Sequence, residues 1–327
     1  MLQYYNPLCT NDGLTLSVDN IVIDFWITNP VKRDMLAYLL RKIEEVYTVS
    51  VAHWTRFKPG EFKEQFTIAT SKETSFWLGV GLNGRSTDWR RARLDFNPNK
   101  VAQYAVFTEV LTFLVRSTKP THRKIQRFDF AIDIPVDRSH CFLVKDNRVY
   151  QERKHGKEWT QYLGAKSSTP GRVKLYNKTV ESNLNYDLSR LELTLAPSTP
   201  YEKAKIPKVM YLDRTQMVID DFKTTDTERY IANALLHGVG TIRDLGRRTQ
   251  QKLEALMSTY MREVTISEKD YDKILRQVDS YIEEKPFVSK IPFKAPPLPL
   301  PRFMPEDELL PLASMENPFL AEDDNHD

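Results

Sequence analysis

Cysteine is scarce in this sequence: Cys9 and Cys141 are the only two among 327 residues. Two cysteines without metal-ligand spacing support neither a disulfide framework nor a zinc site, and they suit a reducing cytosol. Long apolar runs are also absent. Stretches such as Val110 to Val115 fall far short of the roughly 20 residues that a membrane-spanning helix needs. Because the first residues have neither a basic nor an apolar signal region, we expect a cytoplasmic protein with no membrane partner.

Several motifs of common catalytic sites are missing as well. The six histidines include no H-x-H pair, which is the two-histidine metal motif common in nicking enzymes. No P-loop pattern occurs, so ATP use is not indicated, and no G-x-S-x-G nucleophile elbow is present. These absences disfavour the corresponding chemistries and direct attention to carboxylates, tyrosines and cations.

The net charge of +3 conceals an asymmetry along the chain. From Pro286 onward, eight acidic residues oppose three basic ones, so this segment carries −5 and the rest of the chain +8. A basic body is mild support for a polyanionic partner, although an ordinary soluble domain with spare lysines has the same property.

The chain divides into three predicted regions, at 1–200, 201–285 and 286–327. The last region holds nine of the 19 prolines, in runs such as APPLPLP, together with acidic clusters. Such a composition does not form a packed core, so we predict a flexible tail. It serves solubility, docks a partner or shields a basic site.

Residues 225–284 are predicted to be helical, because apolar residues recur at spacings of three and four from Leu253 to Met261. Ser267, followed by acidic residues, is a candidate helix N-cap. The middle helix has a basic start, which is either a solvated helix face or a DNA-contacting surface. Its basic residues are Arg243, Arg247, Arg248 and Lys252.

The first region is predicted to have an α+β fold, with an antiparallel sheet and helices on one face. Strands outnumber helices, and polar and apolar residues alternate along them. The strand candidates are 14–26, 64–70, 76–81, 91–96, 126–134, 160–164, 172–178 and 189–195, and the helix candidates are 31–47 and 101–117.

Three of these strands carry catalytic side-chain types on the face opposite their apolar residues. Residues 126–134 place Arg127, Asp129 and Asp133 on that face. Residues 172–178 and 189–195 do the same with Arg172, Lys174, Tyr176, Lys178, Arg190 and Glu192. If the strands are neighbours, one surface collects carboxylates, a phenol and cations, although a solvated polar face is an equally probable explanation from the residues alone.

This combination suits phosphodiester chemistry. Carboxylates hold a hard divalent cation such as Mg²⁺ or Mn²⁺, a hydroxyl attacks phosphorus, and cations hold the DNA strand. A free phenol has a pKa of about 10, so Tyr176 needs activation by Lys174, Lys178 or the metal.

Strand geometry limits the metal site. Asp129 and Asp133 are separated by roughly 13 Å along a regular strand, whereas neighbouring strands lie about 4.8 Å apart. Both aspartates therefore cannot bind one ion directly. We expect Glu192 and one of the two aspartates as ligands, with the other orienting or binding through water.

Four blocks of sequence resemble a known family, the Rep_trans initiators of rolling-circle plasmid replication. They are STDWRRARLDFNPNK (86–100), IQRFDFAIDI (125–134), EWTQYLGAKSSTPGRVKLYNKTVES (158–182) and LSRLELTL (188–195). Residues 228–257 are similar to the C-terminal helices of that family. The combination of the R-F-D-F-A-I-D and Y-N-K blocks is the most specific part of the resemblance.

The resemblance implies a bacterial site-specific DNA nicking-closing enzyme. Such a protein binds a plasmid origin, cuts one strand with the tyrosine of the Y-N-K block, here Tyr176, and leaves a 5′ phosphotyrosine and a 3′ hydroxyl primer. It also implies a divalent metal held by acidic residues, a homodimer, a host helicase as partner, and origin recognition by residues 200–284.

Two alternatives remain open. The same chemistry serves relaxases of integrative conjugative elements, and a DNA-binding regulator without cleavage activity would use the polar face only to bind phosphates. Tyr162 and Tyr186 are rival nucleophiles, ranked lower because Tyr162 has no adjacent cation in the sequence and Tyr186 falls in a loop.

Overall fold

The computed structural model describes residues 7–10, 13–84, 90–155, 158–165, 170–212, 225, 227–228, 230–231, 245–258, 261–285 and 290. The predicted tail lies outside these residues except for Lys290. Among the described helices, none is long and apolar enough to cross a membrane.

Strands are the most frequent secondary-structure element in the described chain. They are β1 (Leu8–Cys9), β2 (Thr15–Trp26), β3 (Ser50–Thr55), β4 (Phe62–Ser71), β5 (Thr74–Leu82), β6 (Arg91–Phe96), β7 (Arg123–Ile134), β8 (Cys141–Leu143), β9 (Tyr150–His155), β10 (Glu158–Leu163), β11 (Val173–Asn177), β12 (Ser189–Leu195), β13 (Val209–Leu212) and β14 (Met261–Glu263). The helices are α1 (Pro30–Tyr47), α2 (Pro98–Val101), α3 (Ala105–Ser117), α4 (Lys178–Glu181), α5 (Arg247–Ser258) and α6 (Glu268–Asp279).

Eleven strands form one antiparallel sheet, in the order β3-β4-β5-β6-β2-β7-β12-β11-β10-β9, with β1 pairing to β2. The α+β prediction with a large antiparallel sheet is therefore confirmed. The sequence of strands along the chain differs from their order in space, because β12 inserts between β7 and β11. This insertion brings together the three strands that carry the predicted site.

The hydrophobic core lies on one face of the sheet, under helices α1, α3 and α6. Alternation along β7 sends Phe128, Phe130, Ile132 and Ile134 into this core, and each of them is fully buried. Burial of these large apolar side chains is the main stabilising term, at about 1.5–3 kcal/mol for each. The opposite face of the sheet, which we call the polar face, is left for polar side chains.

Helix boundaries follow from local capping. Asn29 caps α1 by accepting a hydrogen bond from the Val31 backbone, and Pro30 occupies the first helical position. The prediction that Ser267 caps a helix is confirmed, since its hydroxyl accepts a hydrogen bond from the Asp270 backbone at the start of α6.

The region at 201–285 is less purely helical than the sequence predicted. Two of its segments are strands, β13 and β14, which form a second, three-stranded sheet with β8 in the order β14-β13-β8. Helix α6 packs on the core face of the large sheet, where the rings of Tyr271 and Phe130 meet edge to face at 5.9 Å. The division of the chain at residue 200 stays a prediction.

Candidate active site on the polar face

The strands that carry the predicted site residues are neighbours, in the order β7-β12-β11. Their register pairs Tyr176 with Arg190 and Lys174 with Glu192, while Arg190 faces Asp133 on the other side. Because strand residues alternate between faces, all of these side chains lie on the polar face. Short cross-strand spacings of about 5 Å bring their functional groups within hydrogen-bonding reach.

The phenol of Tyr176 contacts a carboxylate directly. Its hydroxyl donates a 2.5 Å hydrogen bond to Oε1 of Glu192. Tyr176 is only 4% exposed, and its burial, together with the negative charge of Glu192, raises the pKa of the phenol well above its usual value. Burial also raises the pKa of Glu192, to about 7, although Lys174 opposes this effect. A carboxylate with a pKa near neutrality is suited to accept a proton from the phenol.

Two lysines flank the Tyr176 ring. The Nζ atom of Lys174 lies 4.2 Å from the ring centroid, and that of Lys178 lies 5.9 Å away. The prediction that Lys178 belongs to the strand is wrong, because β11 ends at Asn177. The Asn177 side chain accepts a hydrogen bond from the Val180 backbone and starts helix α4, where Lys178 pairs with Glu181.

Asp133 and Arg190 form a buried ion pair. The guanidinium donates to both carboxylate oxygens of Asp133, at 2.6 and 2.8 Å, and to Oδ1 of Asp19 at 2.7 Å. Although burial lowers the pKa of Arg190, the hydrogen bonds to Asp133 and the charge of Asp19 raise it overall. Arg190, predicted to bind DNA, therefore has internal carboxylate partners, and the predicted metal ligand Asp133 has the Arg190 guanidinium as its partner.

Asp129 has a different environment from Asp133. Its Oδ2 atom lies 3.7 Å from Arg127, and its side chain also bonds to Thr194, which faces it across β12. Burial raises its pKa to about 6, against the opposing charge of Arg127. Its Oδ1 atom is buried without a hydrogen-bond partner in the described part of the chain.

Two neighbours of Asp129 were missed by the sequence analysis. Asn20 faces Asp129 across β2, and Asp95 lies on β6 within hydrogen-bonding reach of Asn20. Within the described residues, Oδ1 of Asn20 and Oδ1 of Asp95 are also buried without a partner. The alternation of Arg91, Arg93 and Asp95 in RARLDF was the available signal for the polar face of β6.

These oxygen atoms are candidate ligands for the predicted metal. No group of three or more His, Cys, Asp or Glu side chains in the described ranges is arranged to hold a metal ion. The amide oxygen of Asn20 is nevertheless a hard metal ligand. With Asp95 and Asp129 it supplies three buried oxygen atoms that have no hydrogen-bond partner among the described residues. The donor chemistry therefore fits a divalent cation of the Mg²⁺ or Mn²⁺ type.

Arginines also stabilise the part of the polar face that β6, β2 and β7 form. The Asp24 side chain is fully buried, and Arg91 and Arg93 both donate hydrogen bonds to it. Arg127 lies between Asp95 and Asp129, at 3.9 and 3.7 Å. These arginines of β6 and β7 are thus engaged with carboxylates.

On the other side of Tyr176, strand β9 and the residue before β11 place arginines beside an aromatic ring. The guanidinium of Arg172 lies 5.1 Å from the centroid of the Tyr162 ring, and that of Arg153 lies 6.0 Å away. Tyr162 has no adjacent cation in the sequence, but strand pairing brings Arg153 and Arg172 to it. We call Arg153, Tyr162, Arg172 and Lys174 the basic strip.

The remaining predicted DNA-binding residues lie on or near α5. Arg247, Arg248 and Lys252 are exposed, and Lys252 forms an ion pair with Glu228 at 2.7 Å. Arg243 lies outside the described residues. The DNA-binding role of this helix stays a prediction. Tyr186 is 57% exposed in the loop between α4 and β12.

Comparison with solved structures shows a likeness in fold to a known protein. A solved structure described as a rolling circle replication initiator protein from Geobacillus stearothermophilus is similar over 75% of this chain and 97% of that chain, with 15% sequence identity and a TM-score of 0.36. No protein-family model and no curated protein matches the sequence. Such low identity and TM-score do not identify the activity of this chain.

The polar face therefore combines three chemical features. A phenol is hydrogen-bonded to a carboxylate of near-neutral pKa. The buried carboxylate and amide oxygens around Asp129 lie on one side of this pair, and the basic strip lies on the other side. Such a surface is able to bind a phosphodiester, take a proton from a hydroxyl and offset charge that develops on phosphate.

Proposed function

We propose that this protein is a replication initiator that nicks one strand of DNA with Tyr176, in the manner of rolling-circle plasmid initiators. The observation that supports this proposal most is the hydrogen bond between Tyr176 and Glu192, because it joins a nucleophile to a base. The resemblance of the Y-N-K and R-F-D-F-A-I-D blocks to such initiators supplies the substrate class. A plasmid origin, a homodimer and a host helicase remain expectations from that resemblance.

In the proposed reaction, Glu192 accepts the phenolic proton at Oε1 while the Tyr176 oxygen attacks phosphorus. The bond between phosphorus and the 3′ oxygen breaks, and the departing oxygen takes up a proton to become a 3′ hydroxyl. The 5′ phosphate stays on Tyr176 as a phosphodiester. Because the bond energy is retained, the reverse reaction rejoins the strand without ATP.

The cations have separate roles in this proposal. Lys174, at 4.2 Å from the Tyr176 ring, offsets the negative charge of the phenolate and of the phosphate. Lys178 is farther away and is paired with Glu181, so its contribution is smaller. Because Tyr176 is 4% exposed, side chains around it must move before its oxygen reaches a phosphate.

The metal assignment changes in this proposal. A bound Mg²⁺ or Mn²⁺ polarises the phosphate and stabilises its negative charge. Asp129, Asp95 and Asn20 would hold it, because each has a buried oxygen atom without a hydrogen bond among the described residues. Glu192 is then the base rather than a ligand, and Asp133 holds Arg190 in place.

A second candidate is a DNA-binding regulator that does not cut DNA. The burial and high pKa of Tyr176 favour it, because both suit a structural tyrosine. The contact with Glu192 favours the enzyme, because it places a proton acceptor at the phenolic oxygen. A relaxase of a conjugative element would use the same chemistry on another DNA substrate.

Covalent attachment to DNA tests the proposal. The protein is incubated with labelled single-stranded DNA from the replicon that encodes it, with Mn²⁺, and resolved under denaturing conditions. We expect a labelled protein band with the unmodified chain and with Tyr186→Phe, the matched control in an exposed loop. We expect no band with Tyr176→Phe. A band that persists in Tyr176→Phe would overturn the assignment, and DNA binding without any band would support the regulator.

A further inference from the structure

The two arginines of the basic strip, Arg153 and Arg172, differ from the other arginines of the polar face, because no carboxylate of the described residues lies within ion-pair distance of them. Arg91, Arg93, Arg127 and Arg190 all lie within ion-pair distance of an aspartate. By contrast, no ion pair involves Arg153, Arg172 or Lys174 in the part of the chain that the structure describes. Unpaired guanidinium groups retain all their hydrogen-bond donors for an anion, and phosphate is the anion that arginine binds best in a two-pronged geometry.

The backbone around Arg172 is held firmly. Its carbonyl accepts a hydrogen bond from the Thr194 backbone at 2.9 Å, and the adjacent Gly171 donates to the Thr194 carbonyl at 2.7 Å. Gly164 approaches closely enough that a Cβ there would lie 3.2 Å from the Arg172 Cα, with φ at +97°. Residue 164 must therefore be a glycine, and the backbone of Arg172 is fixed between β10 and β12.

The ring of Tyr162 provides a flat surface beside these cations. Tyr162 pairs with Lys174 across β10 and β11, so its side chain lies on the polar face. Arg172 and Arg153 lie at 5.1 and 6.0 Å from its centroid, and the residue is only half-buried. An aromatic ring between unpaired arginines is the arrangement by which proteins hold single-stranded nucleic acid, with bases stacked on rings and phosphates bound by cations.

We propose that Tyr162, Arg153 and Arg172 form a subsite for one nucleotide of single-stranded DNA, with the base against the Tyr162 ring and the phosphate between the two arginines. The subsite is next to Tyr176, because Lys174 faces Tyr162 and also lies over the Tyr176 ring. Its role in aligning a scissile phosphate rests on the proposed nicking function. Its binding of a nucleotide does not, because stacking and phosphate contact involve no chemical step.

The subsite has two consequences for binding. Stacking uses the π-face that every base has, so it is tolerant of sequence but needs an unpaired base. The arginines add a salt-dependent term, and each phosphate contact on a single strand contributes about 0.7 to the slope of log affinity against log salt. The subsite therefore favours single strands over duplexes of the same sequence.

Fluorescence anisotropy with oligothymidylate, in the absence of divalent metal, tests this inference on the full chain. We expect Tyr162→Ala to weaken binding about 5- to 150-fold and Tyr162→Phe to retain it, because phenylalanine keeps the ring. Arg153→Ala and Arg172→Ala should each lower the salt slope by about 0.7. The matched controls are Tyr186→Ala, which removes an exposed ring elsewhere, and Lys42→Ala, which removes a cation from α1 on the other side of the sheet.

A fluorescent purine analogue in the oligonucleotide provides a direct reading of stacking. Its emission should be quenched by the unmodified chain and by Tyr162→Phe, and not by Tyr162→Ala. The inference is overturned if Tyr162→Ala binds single strands as tightly as the unmodified chain, or if it loses duplex binding to the same extent. If binding depends on Tyr162 but the protein forms no covalent adduct, the subsite is supported and only the proposed nicking function is contradicted.

Discussion

Tyr176 and Glu192 lie on adjacent strands, and the hydroxyl of the first donates a 2.5 Å hydrogen bond to the carboxylate of the second. The contact exists because β12 lies between β11 and β7, with Glu192 paired to Lys174 and diagonal to Tyr176. Glu192 thus faces the phenol on one side and the Asp129 region on the other.

Replacement of Glu192 by Gln should slow covalent adduct formation by about 10²–10⁴-fold, because the amide keeps the side-chain shape but accepts no proton. Affinity for uncut single-stranded DNA should stay the same. Rates of adduct formation and anisotropy titrations measure the two effects, with Glu45→Gln on α1 as the control. Equal losses of cutting and of binding would show that Glu192 holds DNA or structure and is not a base.

Removal of the Asp129 carboxylate should separate metal binding from folding. We expect Asp129→Asn to reduce Mn²⁺ binding at least tenfold, on the scale of a lost ligand. Isothermal calorimetry of the DNA-free protein measures this without any catalytic step. Glu192→Gln is the comparison, and it should retain Mn²⁺ binding. The opposite ranking would return Glu192 to the role of metal ligand.

Asp133 should matter for stability rather than for metal binding. Replacement by Asn leaves the buried Arg190 guanidinium with Asp19 as its remaining carboxylate partner, at an expected loss of about 2–4 kcal/mol in the free energy of unfolding. Urea denaturation measures the loss. The control is Glu263→Gln, which breaks an exposed ion pair with Lys208 and should cost less than about 1 kcal/mol. A fully stable Asp133→Asn protein that loses Mn²⁺ binding would contradict this account.

The pH dependence of stability should reveal the buried carboxyl of Asp129. Burial raises its pKa to about 6, above the value near 3.9 of an unfolded chain, so the folded protein favours the protonated form. Ionisation therefore destabilises the fold as pH rises from about 4 through about 6. In metal-free buffer, Asp129→Asn should be more stable than the unmodified chain at about pH 8, by roughly 1–3 kcal/mol, and equally stable near pH 4. A difference that does not change with pH would exclude this cause.

Strand patterns in the sequence predicted the fold class and the membership of the polar face. The alternation in RFDFAIDI places phenylalanines in the core and Asp129 and Asp133 opposite, and β7 has this arrangement. Strand β9 was missed because YQERKH is polar on both faces, which is typical of an edge strand. Strands β13 and β14 are short, and their partners are far away in sequence: β13 pairs with β8 and with β14. No local sequence pattern therefore predicts them.

The partners of the site residues were harder to predict than the residues themselves. Spacing along one strand excluded a shared ion for Asp129 and Asp133, but it contains no information about which one faces Arg190. That distinction depends on the register of β12 against β7, which pairs Arg190 with Asp133 and Thr194 with Asp129. Likewise, the cations beside Tyr162 come from β9 and from the residue before β11, and only strand pairing brings them together.

The central claim, that Tyr176 is the nucleophile, is tested most directly by mass spectrometry of the peptide that remains attached to cleaved DNA. The protein is incubated with single-stranded DNA of its own replicon and Mn²⁺, the adduct is digested, and the modified residue is located by fragmentation. Our account predicts a 5′ phosphate linked to Tyr176. A phosphate on Tyr162 or Tyr186, or cleaved DNA with no peptide attached, would contradict it.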